Sequence, residues 1–182
     1  MSQSSRALPI ALCVTAALAL AASAAHARRD QKTLMVPDAL SAPDGNKLKL
    51  TLFGVGIQRY QCTALDGGYR WKFIEPEAQL LDRNDRPTGH HGAGPTWRAL
   101  DGSEVTAAKR AEATLDPESI PWLLLEATGH QAKGLLDDIT YIQRVKTEGG
   151  LPPDAPCTEA NSGETNDVPY RALYRFYSPR GC

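Results

Sequence analysis

Lys47-Leu48-Lys49-Leu50-Thr51-Leu52 opens the stretch that decides the fold. Phe53 to Cys62 continues it, and past Asp66-Gly67-Gly68 the chain runs on as Tyr69-Arg70-Trp71-Lys72-Phe73-Ile74. Apolar residues at every second position place one face of an extended strand on a core and leave the other in water. Leu48, Leu50 and Leu52 set that alternation; Val55, Ile57 and, past a slip, Tyr60 and Cys62 carry it forward. Asp66-Gly67-Gly68 reads as a hairpin turn, because glycine tolerates the positive φ that tight hairpins need. The returning strand then carries Tyr69, Trp71 and Phe73 on one face and Arg70, Lys72 and Ile74 on the other.

Working outward, further extended segments are expected at residues 78–81, 96–100, 104–113, 121–127, 139–147 and 170–177, with a second turn at Asp101-Gly102-Ser103. Residues 105–113 and 117–125 compete as helices; both are assigned to strands. The stretch at 149–166 has no periodic apolar face and reads as a long loop. Short strands punctuated by Gly, Pro and Asp clusters predict an all-β domain, an antiparallel sandwich or barrel of about eight to ten short strands. In the final strand Tyr170, Ala172, Tyr174 and Phe176 form the inward face.

The chain has 182 residues and four cysteines. Arg6 precedes an apolar run from Ala7 to Ala25 that ends in Ala25-His26-Ala27, the pattern of a signal peptide cleaved after residue 27. Residues 28–182 then form a single exported β-rich domain, in the periplasm or outside the cell. No second run of membrane length follows, so no integral span is expected after cleavage. Lys and Arg number 20 against 21 Asp and Glu, a net charge of −1. That balance argues against a nucleic-acid partner, which selects for a basic face.

Export permits disulfides to persist, and Cys62, Cys157 and Cys182 remain after cleavage. Of the three pairings, Cys62 with Cys157 is favoured, since one lies in a strand and the other in the Pro-rich loop, whereas Cys182 is terminal. Closing a loop of about 95 residues contributes about 4 to 5 kcal/mol on the chain-entropy model.

The densest site-like stretch is Thr88-Gly89-His90-His91-Gly92-Ala93-Gly94-Pro95-Thr96-Trp97, read as a glycine-rich loop. His91, Thr96 and Trp97 are its ligand-binding candidates, because an aromatic face beside polar groups suits recognition of a small molecule, a glycan or a protein. His90 and His91 are the metal candidates, with His130, Asp82, Asp85 or Asp101 as a third ligand. Regular strand geometry opposes that pairing, since adjacent side chains face opposite ways. No cofactor is identified beyond that metal. Gly54-Val55-Gly56 lacks the third glycine of a dinucleotide fingerprint, and no serine is flanked as a nucleophile elbow. Asp137-Asp138 read as a turn entering a strand.

One ordered set of motifs points to a family. It comprises Val36-Pro37, Gln61-Cys62, Trp71, Gly94-Pro95-Thr96-Trp97, Asp101-Gly102-Ser103, Ile120-Pro121-Trp122-Leu123-Leu124, Tyr141-Ile142-Gln143-Arg144-Val145, Thr147-Glu148-Gly149-Gly150 and Pro169-Tyr170-Arg171-Ala172. The chain resembles, over residues 36–179, an uncharacterised family of exported proteins classed as a domain of unknown function, with bacterial and fungal members. The resemblance implies an exported, β-rich single domain in which Cys62 and Cys157 pair, and it brings no established activity. The expectation is therefore an exported soluble β-domain with a binding or structural role. A metal-dependent enzyme using His90 and His91 is the alternative.

Overall fold

The computed structural model describes residues 34–181. The signal peptide expected at residues 1–27 and the terminal thiol of Cys182 lie outside the described residues. A 3-10 turn at Asp38–Leu40 precedes eight strands: β1 (Asn46–Leu65), β2 (Gly68–Leu81), β3 (Pro87–Gly92), β4 (Thr96–Ala99), β5 (Glu104–Ala113), β6 (Trp122–Gln131), β7 (Tyr141–Gly149) and β8 (Thr165–Pro179). Each pairs antiparallel with the next, and β8 pairs back onto β1, so a single sheet closes on itself as a barrel. Closure removes most of the free strand edge that an open sheet would present.

The all-β expectation holds, with corrections of detail. The strands are not all short: β1 has 20 residues, β8 has 15 and β2 has 14. Residues 78–81 are the end of β2 rather than a separate strand, and β6 starts only at Trp122, leaving 117–121 in a loop. Asp66-Gly67 forms the two-residue hairpin loop, closed by the Leu65 and Gly68 pair.

The slip read in β1 is not a change of phase. The inward face runs Leu52, Gly54, Gln58, Tyr60 and Cys62, all buried, while Val55 is exposed. Small or polar residues occupy inward places there, so the apolar pattern jumps faces where the backbone does not. The irregularity lies in β2, where Arg59 pairs with Glu75 and Tyr60 with Phe73, leaving Ile74 as the extra residue of a bulge.

The stretch around the histidines is a correction as well. Thr88 to Gly92 is not a loop but the body of β3, joined to β4 by a tight turn. Its glycines mislead because Gly89 marks close strand approach: a Cβ there would sit 2.2 Å from the carbonyl oxygen of Arg98.

The core fills the barrel with Leu80, Trp97, Val105, Leu125, Leu136, Ile139, Ile142, Tyr170, Tyr174 and Phe176. A second buried set includes Leu40 and Gln143, joined where the Gln143 amide donates to the Leu40 carbonyl at 2.6 Å. Cys62 bonds Cys157 in the β7–β8 connection. That connection is tied further by Trp71, whose indole N–H donates to the carbonyl of Ala155 at 2.7 Å.

Candidate functional site

The short β3–β4 hairpin leaves the barrel wall low on one side. β2 pairs with β3 only from Ala78 onward, and β4 meets β5 only across Glu104 to Thr106. The half of β2 from Gly68 to Glu77 and the half of β5 beyond Thr106 therefore have no strand between them. Beneath this notch lies a cavity of about 300 Å³. Phe73, Ile74 and Pro76 of β2 line it on one side, Lys109, Leu123 and Leu125 of β5 and β6 on the other, with Gly94 and Pro95 at the turn. The β2 bulge brings Phe73 and Ile74 both to the rim, which is the usual effect of a bulge beside a site.

His91, Trp97, Arg144 and Tyr174 form the polar and aromatic part of the wall. The His91 and Trp97 rings stack at 4.3 Å between centroids with 10° between planes. Tyr174 packs edge-on against both, at 5.1 Å and 5.6 Å. His91 is buried, and its Nδ1 lies 2.9 Å from the carbonyl oxygen of Thr96. A carbonyl only accepts, so Nδ1 carries the proton and Nε2 does not. Burial disfavours the imidazolium and lowers the His91 pKa to about 4, against the partial opposition of the Thr96 carbonyl.

Arg144 enters the interior from β7, opposite Tyr174 of β8 and Leu123 of β6. Its Nε and Nη2 donate to the carbonyl of Pro121 at 3.2 Å and 2.9 Å. Among the described residues no carboxylate lies within ion-pairing distance of it. Burial holds the Tyr170 and Tyr174 phenols above the ordinary tyrosine value, while the Arg144 charge pulls the other way. Both hydroxyls are thus neutral, 3.1 Å apart and sharing one hydrogen bond. The indole N–H of Trp97 is buried without a partner among the described residues.

The expected site residues divide. His91 and Trp97 meet in the cavity wall. Thr96 faces the other way: its carbonyl fixes His91, but its side chain lies on the outer surface with His90, Arg98 and Glu104. His90 is exposed and His91 buried on one strand, so the two rings do not converge on one ion. Among the described residues no three His, Cys, Asp or Glu side chains stand together as a metal site. His130 instead bonds the carbonyl of Ile139 through Nε2 at 2.7 Å. Asp101 is occupied by the backbone N–H groups of Ser103 and Leu135 and by the Ser103 hydroxyl. Asp137 and Asp138 pair with Lys49.

Arg144 was missed in the sequence, as were Leu123 and Leu125 as cavity walls. The sequence carries no clear signal for Arg144: the alternate positions of its strand are Ile142, Lys146 and Glu148, so the row reads as mostly charged and solvent-facing.

The family model described as a protein of unknown function, DUF3455, matches residues 43–178. The chain belongs to this family. No curated protein and no solved structure matches it. The DUF3455 match takes in all of the cavity-lining residues as well as both disulfide cysteines. Among the described residues no helix is long and apolar enough to cross a membrane.

Proposed function

We propose that this DUF3455 domain is an exported binding protein for a small, largely apolar molecule, taken up in the cavity under the β3–β4 turn. The observation that carries the reading is the cavity itself, with its His91–Trp97 stack and its Leu123, Leu125 and Ile74 walls. A volume of about 300 Å³ falls at the small end of ligand sites, and few polar groups in an apolar wall are what orient a ligand there. Aromatic faces held rigid by mutual packing offer contact area at little entropic cost. Export rests on the leader pattern at residues 1–27 and is supported by the Cys62–Cys157 bond, which persists in oxidising compartments.

The test uses the neutral fluorophore N-phenyl-1-naphthylamine on untagged protein. The unaltered protein should enhance its emission with saturable, one-to-one binding. Leu125→Trp, which fills the cavity from β6, should weaken that binding at least about tenfold while circular dichroism shows the same sheet. Equal binding by both proteins, or none by the unaltered one, would refute the site.

A further inference from the structure

The cavity's polar inventory is lopsided. Arg144 spends Nε and one Nη2 proton on the Pro121 carbonyl, and a guanidinium has five N–H groups. The Trp97 indole N–H is a further donor, buried and unmatched. His91 has committed its proton to Thr96 and leaves Nε2 as an acceptor, and the two tyrosine hydroxyls share a single hydrogen bond. Donors are in excess, and one of them is a fixed positive charge.

A partly buried cation without a carboxylate partner is costly, and a ligand that supplies the missing acceptor recovers the difference. Lys109, the other cation on the wall, is already paired with Glu112 at 2.5 Å and sits on the exposed rim. The field of Arg144 reaches inward instead: its charge acts on His91, Tyr60, Tyr170 and Tyr174. The planar guanidinium fork matches a carboxylate in geometry as well as charge.

From this we infer that the ligand is an amphipathic carboxylic acid, its carboxylate seated on Arg144 and its apolar body lying along the His91–Trp97 stack towards Ile74 and Leu125. The inference rests on the binding reading above and names its ligand class. The carboxylate accepts from the free Arg144 N–H groups, and the hydrocarbon or ring portion fills the space under the notch. The entry path lies between the unpaired halves of β2 and β5, where no strand blocks it.

The experiment compares decanoic acid with 1-decanol by titration calorimetry at pH 7.5, on the unaltered protein and on Arg144→Gln and Lys109→Gln. Decanoate should bind at least about tenfold tighter than decanol to the unaltered protein, as a charge-assisted bidentate contact implies. Arg144→Gln should erase that preference, the acid then binding no tighter than the alcohol; Lys109→Gln should keep it. Equal affinity for acid and alcohol on the unaltered protein overturns the inference but leaves the binding reading standing. Failure of both ligands to bind overturns both. Loss of the preference in Lys109→Gln alone moves the acid to the rim and also overturns the assignment to Arg144. Should Arg144→Gln not fold, the acid and alcohol comparison on the unaltered protein and on Lys109→Gln decides: a preference present in both supports the inference, and one lost in either overturns it.

Discussion

Gln143 and Arg144 are neighbours on β7 that face opposite sides of the barrel wall, and the contrast between their surroundings separates structure from site. Gln143 is almost fully buried, and both polar atoms of its amide are engaged in three hydrogen bonds. Nε2 donates to the Leu40 carbonyl, while Oε1 accepts from Arg175 at 3.0 Å and from the Tyr177 hydroxyl at 2.8 Å. Arg144, on the inner side, retains unspent donors beside an open cavity. A buried polar group whose donor and acceptor atoms are both engaged by the protein holds a fold together; one with most of its donors unspent invites a ligand.

The largest expected effect lies on the Gln143 side. Gln143→Leu orphans the Tyr177 hydroxyl, the Arg175 contact and the Leu40 carbonyl together, and should lower stability by about 3 to 4 kcal/mol in urea denaturation. A loss below about 1 kcal/mol would show that the outer network is not structural.

On the inner side His91 gives a pH signature. Its folded-state pKa of about 4 lies below the ordinary 6.5, so the unfolded chain binds the proton first as pH falls. Stability from this group is complete above pH 6.5, declines from there towards pH 4, and amounts to about 3 kcal/mol over that window. His91→Gln should flatten the decline between pH 6.5 and 4.5, read from urea midpoints. An unchanged slope would place the titrating group elsewhere.

The smallest effect completes the contrast. Arg144→Met loses its hydrogen bonds to the Pro121 carbonyl but also removes a charge that lacks an acidic partner, so stability should change by about 1 kcal/mol or less. A loss as large as that of Gln143→Leu would make Arg144 a structural residue and erase the difference between the two faces.

Much of the fold was legible because alternation and turn chemistry agree. Leu50, Leu52 and the Asp66-Gly67-Gly68 turn announce a hairpin without tertiary information, and the face of Tyr170, Ala172, Tyr174 and Phe176 is buried as the pattern requires. Leu48, read on the same face as Leu50 and Leu52, is exposed, because the β1–β8 register shifts between it and Leu50. β3 was not legible, since Gly89 and Gly92 resemble loop residues and only the proximity of Arg98 explains the first of them. The inward run of β1 was obscured for a related reason: Gly54 and Gln58 fill places where an apolar residue would have marked the face. Of the site, His91 and Trp97 stood out as rare residue types close together. Arg144 did not, because a lone arginine on a strand ordinarily points to water, and only the register with Tyr174 and Leu123 turns it inward.

A crystal structure of the protein with decanoate tests the central claim most directly. The account predicts electron density for the chain between the His91–Trp97 stack and Leu125, with a carboxylate oxygen about 3 Å from the Arg144 guanidinium. A ligand bound on the outer surface with the cavity unfilled, or seated in the cavity with its carboxylate turned away from Arg144, would contradict it.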